Sequence, residues 1–130
     1  MYEFCSEGQR GSIQKAVIYT QMQGNLYNLA FGDWNESIQK LDDSIRSNNG
    51  DKDKVLATVA FTALTFTDQY PEAKIFVEGS TAARTRLYQI GINNNLLEIS
   101  LSFTIKGNRE GYWEPFRQGS NYKAFLIQRK

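Results

Sequence analysis

The residues best equipped for chemistry in this chain lie between Lys74 and Tyr88, in the run Lys-Ile-Phe-Val-Glu-Gly-Ser-Thr-Ala-Ala-Arg-Thr-Arg-Leu-Tyr. The run reads as a short buried strand, a Gly79-Ser80-Thr81 turn, and a helix opening with Arg84 and Arg86. A helix N-terminus presents unpaired backbone N–H groups and a partial positive charge, so this junction suits a phosphate or carboxylate. Gly79 would let backbone approach the ligand, Ser80 and Thr81 would donate hydroxyls, and the arginines would clamp the oxyanion. The expected anion-binding set is Gly79, Ser80, Thr81, Arg84, Arg86 and Tyr88. Arg84 and Arg86 diverge by about 200° around a helix, whereas Arg84 and Tyr88, four apart, share a face. The same residues also spell an ordinary helix cap, with the arginines in solvent or paired with Glu78 and Glu98. The Gly-x-x-x-x-Gly-Lys-Ser/Thr spacing of a nucleotide-binding loop is absent.

Acids come next, because the chain has no histidine and one cysteine, Cys5. The usual general base near neutral pH, the usual partner of a Ser or Cys nucleophile and the commonest transition-metal ligand are therefore missing. Zinc is nearly excluded, and no resident metal or cofactor is expected. Glu78 at the end of a central strand and Asp33 at the end of the third strand, with Glu3 or Glu7 beside the first, are the acids available to a Mg²⁺-dependent phosphodiester-processing centre. Such a centre needs about four converging carboxylates around ions about 4 Å apart. The helix that follows Asp51 offers no acid on its middle turns, so the set is incomplete.

Composition bounds the partners. The 130 residues form one domain, with 41% hydrophobic and 13% aromatic content, enough for a packed core. A net charge of +1 argues against a protein that mainly coats nucleic acid. Arg117, Lys123 and the terminal Gln-Arg-Lys make a modest basic end, and Tyr112, Trp113, Phe116 and Trp34 sit near turns, where aromatics stack bases, form partner surfaces or lid a core. One cysteine permits no internal disulfide, the N-terminus lacks a secretory pattern, and no apolar run reaches membrane-spanning length. A cytoplasmic protein is expected.

The elements that must position these groups follow from periodicity. Residues 2–6, 13–22 and 26–31 read as three strands of an antiparallel meander, with Gly24-Asn25 as a hairpin turn. Residues 34–50 are polar and close on Ser47-Asn-Asn-Gly50, a loop signal. Asp51 or Asp53 can cap a helix to Gln69, with Val55, Val59, Thr62, Ala63, Phe66 and Tyr70 at helical spacing and Pro71 as its stop. Residues 73–77 form a strand, most simply parallel to a neighbour. The next helix runs from Thr81 to Gly91, which reads as a left-handed C-terminal stop. A short helix to Ile99 and strands at 101–106 and 122–128 complete the order β-β-β-α-β-α-β-β. The expected fold is α+β, a single mixed sheet with a central strand flanked by two helices, similar in topology to a ribonuclease H-like layout.

Four segments carry a resemblance. Asn25–Asp33 (NLYNLAFGD), Ser47–Asp51 (SNNGD), Lys54–Ala60 (KVLATVA) and Gly79–Tyr88 (GSTAARTRLY) resemble a family of short, uncharacterised bacterial proteins across nearly the whole chain. The resemblance implies a stand-alone bacterial protein and no particular activity. Members are similar to partners of small neighbouring proteins in two-gene units. Three functions remain open: an anion-binding protein, a toxin–antitoxin-like or regulatory interaction partner with aromatic loops as its interface, and the Mg²⁺-dependent enzyme.

Overall fold

The computed structural model describes residues 1–9, 11–42 and 52–130, with the side chains of residues 42, 52 and 53 outside the description. The meander is present as β1 (Tyr2–Gly8), β2 (Gly11–Gln23) and β3 (Leu26–Asn35), with Gly24 at φ 57° turning the second hairpin. A short strand β4 (Lys40–Asp42) pairs with the end of β3. Then come helix α1 (Lys52–Gln69), strand β5 (Lys74–Val77), helices α2 (Ala82–Asn94) and α3 (Leu96–Ser102), and strands β6 (Phe103–Arg109), β7 (Tyr112–Pro115) and β8 (Ala124–Arg129). All strands join one mixed sheet in the order β1-β2-β3-β5-β8-β6-β7, with β4 on β3. The central β5 is parallel to β3 and antiparallel to β8. This is the expected α+β architecture; the ribonuclease H likeness extends to the run of meander, helix, strand and helix, and nothing further rests on it.

Several boundaries differ from the sequence reading. Gly91 does not stop α2: the helix runs on to Asn94, and Asn95 N–H bonds back to the Gly91 and Ile92 carbonyls at 3.2 Å. A Cβ on Gly91 would come within 2.7 Å of Leu56 Cδ1, so this glycine serves close packing of α2 on α1. The short helix takes Leu101 and Ser102 from the expected strand, and β4 and β7 are additions. The Ser47–Gly50 loop and the Asp51 or Asp53 cap lie outside the described residues and side chains.

Cross-strand partners share a sheet face, and one face is the core. Val17, Leu29, Ile75, Val77, Phe103, Ile105 and Phe125 are all buried there. α1 lays Thr62, Ala63, Phe66 and Thr67 on this face, and Phe66 stacks on Tyr19 at 4.2 Å. The threonines of α1 turn their hydroxyls to the helix's own carbonyls, as in Thr67 Oγ1 to Ala63 O at 2.7 Å, so β-branched residues enter the helix without orphaned polar groups. Arg129 of β8 ties the end of α1 down, donating to Asp68 at 2.8 Å and Thr67 at 3.0 Å. Gln89 fastens α2 from the other side: its amide donates to Ser120 O and accepts from Tyr122 N–H.

The β6–β7 end is held by Glu114. Its carboxylate accepts from Tyr122 OH at 3.1 Å and Arg117 Nη2 at 3.0 Å, with Arg109 3.8 Å away. Burial would raise the Glu114 pKa, but the bonds from Tyr122 and Arg117 and the two guanidinium charges outweigh it and hold the carboxyl below its ordinary value. A lowered native pKa adds stability above the unfolded value, about 4.3, and loses it as pH falls through the native value. Urea unfolding of Glu114→Gln should therefore trail the native protein near neutral pH and converge with it in acid. A gap independent of pH would show that the carboxylate is not the group that matters.

Candidate functional site

The strand-turn-helix junction forms as expected, and most of its polar groups are turned on one another. Thr81, extended at φ −137° and ψ 163°, is the N-cap, and its Oγ1 accepts from Arg84 N–H at 3.2 Å. Thr85 Oγ1 accepts from Gly79 N–H at 3.0 Å and donates to Thr81 O at 3.2 Å. A Cβ on Gly79 would stand 2.5 Å from Thr85 N and 2.7 Å from Arg84 Cβ. The space that Gly79 leaves open is filled by the first turn of α2, not by room for a ligand. Ser80 and Arg86 are exposed and Arg84 half-buried. Among the described residues neither arginine forms an ion pair, and Glu78 and Glu98 form none either.

The acids do not converge. With Leu29 opposite Val77 in the parallel pair, Glu78 falls level with Ala30, leaving Asp33 three residues, about 10 Å, further along β3. Asp33 instead meets Lys15 across β2–β3 at 2.5 Å, on the core face, with 22% and 8% of the two side chains exposed. Glu3 pairs with Ala16 and so lies on the other face. Among the described residues no group of three His, Cys, Asp or Glu is placed to hold a metal. The carboxylate set read for a Mg²⁺ centre is therefore not assembled by Glu78, Asp33 and Glu3.

The helical layer contains what the sequence reading missed. Between α1 and the α2–α3 pair lies a cavity of about 260 Å³. Leu56, Ala60, Phe61 and Leu64 of α1 form one wall, and Tyr88, Gly91, Ile92 and Ile99 form the facing wall. Its floor is the sheet, at Leu29, Val77 and Ile127. Its polar lining comes mainly from Glu98 and Ser102 of α3 and from Asn95, the residue between α2 and α3. Ala57 and Ala60 of α1 and Gly91 of α2 are among the small residues of its lining. Tyr88, expected beside the anion, lines this cavity, on the α2 face that Arg84 begins.

Large apolar side chains are exposed on the elements that line the cavity. Phe61 is 66% exposed, and Leu97 and Leu101, one turn apart on the solvent side of α3, are 88% and 80% exposed. Phe61 lines the cavity itself; Leu97 and Leu101 do not, but each precedes an α3 residue that does, Glu98 or Ser102. Of the turn aromatics, Phe116 packs against the core, and Trp34 donates its indole N–H to Glu36 at 2.8 Å.

Fold and cavity define a small α+β protein with helices layered on one sheet face and an apolar opening within that layer. Residues 1–130 match DUF6934, a family of unknown function, and the chain belongs to that family. No curated protein and no solved structure matches it. Among the described residues no helix is long and apolar enough to cross a membrane.

Proposed function

We propose that this protein is a binding module for another protein, and that the cavity between α1 and α3 receives an apolar anchor side chain of that partner. One observation carries the reading: the apolar cavity is lined by Phe61, itself 66% exposed, and by α3, whose Leu97 and Leu101 are 88% and 80% exposed beside it in sequence. Fully burying a side chain of this kind contributes about 1.5–3 kcal/mol, so a partner that covers all three has a strong drive to dock. An apolar socket with weaker contacts about it is the arrangement in which a few residues supply most of an interface's energy. A cavity of about 150 Å³ admits benzene, so 260 Å³ has room for a Leu, Met or Phe side chain. An amphipathic helix laid along the α1–α3 groove would present such an anchor. This is the regulatory or toxin–antitoxin-like role, with its interface on the helices rather than on the aromatic loops. A bacterial cytoplasm suits it, since the exposed thiol of Cys5 stays reduced there.

The test compares the native protein with a Phe61→Glu/Leu97→Glu/Leu101→Glu variant, measuring co-purifying proteins by quantitative mass spectrometry and self-association by sedimentation. These sites are exposed, so the variant keeps its fold. The expected result is a partner, or a second copy, held by the native chain and lost about tenfold or more by the variant, a change of about 1.4 kcal/mol. An unchanged partner set with no self-association would remove the proposal.

A second reading keeps an anion at the start of α2, supported by Arg84 and Arg86 lacking acidic partners among the described residues. Arg84→Ala would then weaken phosphate binding by roughly 10- to 150-fold, and Arg86→Ala by less. Calorimetry showing no phosphate binding by the native protein would dismiss this reading and leave the first untouched.

A further inference from the structure

Among the described residues no helix covers the sheet face opposite α1, and the two halves of that face differ. Residues alternate along a strand. With Ile75, Val77, Phe103 and Phe125 in the core, Lys74 and Phe76 of β5, Leu126 of β8, Lys106 of β6 and Trp113 of β7 stand on the other side. Phe76 and Trp113 meet edge to face at 6.2 Å and 78°, reaching over the two strands between them. Trp113 remains 39% exposed. Each ring is thus held by the other, and a ring with a free face is a platform on which an unpaired base can stack.

Charge completes the pattern. Phe76 stands opposite Leu126, and Leu126 opposite Lys106, so Lys106 lies two strands, about 10 Å, from the Phe76 backbone. Lys74 is two residues, about 7 Å, away along β5, and both lysines are exposed. Within β5 to β8 no acid stands on this face, Glu114 turning to the other side; Glu72 and Glu78 flank β5 just past its two ends, Glu72 level with Lys130 by the β5–β8 register. Across the sheet, the same face of β1–β3 carries Glu3 and Glu7 and no Lys or Arg. Protein interfaces are depleted in lysine. Here two lysines bracket the rings, with the hydrogen-bonding groups of Thr104, Asn108 and Gln128 beside them.

We propose that the β5–β8–β6–β7 face binds single-stranded nucleic acid, with bases stacked on Trp113 and Phe76 and phosphates met by Lys74 and Lys106. This interaction is independent of the helical docking surface. The test is fluorescence anisotropy with labelled oligo(U), oligo(dT) and a duplex of the same length, at low and moderate salt, for the full chain and for Trp113→Ala and Lys74→Gln/Lys106→Gln variants. All three positions are exposed, and circular dichroism confirms that each variant is folded. Single strands should bind more tightly than the duplex. Trp113→Ala should weaken binding by roughly 5- to 150-fold. Each lysine removed should lower the slope of log affinity against log salt by about 0.7. A gap between oligo(U) and oligo(dT) would name the natural strand, and equal affinity would mean the backbone and stacking are read alone; both support the proposal. No binding at low salt, preference for the duplex, or affinities unchanged in both variants would overturn it.

Discussion

Phe66→Ala should lower the unfolding free energy by about 3–5 kcal/mol, measured by urea denaturation. Phe66 is 7% exposed and sits at the centre of an aromatic cluster: stacked on Tyr19 at 4.2 Å, edge-on to Tyr27 at 5.0 Å, and against Tyr70 at 5.0 Å. Removing it opens a void under α1 and strands the Tyr19 ring, whose hydroxyl is fixed on Thr62 at 2.9 Å. Burial pushes the Tyr19 phenol far above its ordinary pKa despite that bond, so it stays neutral and cannot relieve the loss by ionising. Surrounding rings are too stiff to fill the gap, which places the cost in the upper part of the large-to-small range. A loss below about 1 kcal/mol would mean that α1 does not pack through this face.

The second large effect belongs to Lys15. Lys15→Met should destabilise by about 3 kcal/mol, near the lower end for a buried pair broken on one side, because Asp33 keeps 22% of its side chain exposed. The ammonium lies 2.5 Å from Asp33 and 5.9 Å from the centre of the Phe31 ring, on the core face. Loss of either contact alone is small; what costs is leaving Asp33 charged, half-buried and without this cation. Adding Asp33→Asn to Lys15→Met should recover part of the stability, and a double variant as unstable as the sum of two single losses would contradict a direct pairing. The same experiment bears on Asp33 as a metal ligand, since a carboxylate held by Lys15 serves the fold.

What the sequence made legible follows from how local each signal is. The α1 stripe through Thr62, Ala63 and Phe66 was readable because 3.6-residue spacing survives translation into a buried face. The meander was readable from alternating residues and the Gly24 turn. Gly91 was misread because a glycine after an apolar run marks a helix end and a close helix–helix contact equally well; only the position of Leu56, 35 residues earlier, separates them. Pro115 ends a short edge strand, where a missing N–H costs little, so β7 left no periodic trace. At the junction the cap was legible, but Thr81 rather than Ser80 supplies it, and the use of Gly79 for helix packing depends on Arg84 and Thr85 folding back. The cavity was not legible at all. Its lining is drawn from all three helices and from the sheet, and a cavity assembled from separate elements is invisible until their packing is known.

The central claim is that the α1–α3 cavity receives a partner's anchor, and plugging that cavity tests it most directly. Ala60 lines the wall and is half-buried, so Ala60→Phe fills the opening from within while Phe61, Leu97 and Leu101 stay in place. Thermal unfolding checks that the variant remains folded, and the measurement is the amount of co-purifying partner, or of self-associated protein, relative to the native chain. The account predicts a loss of about tenfold or more in that amount, since the anchor has nowhere to enter. Recovery equal to the native protein's from a folded Ala60→Phe variant would contradict it.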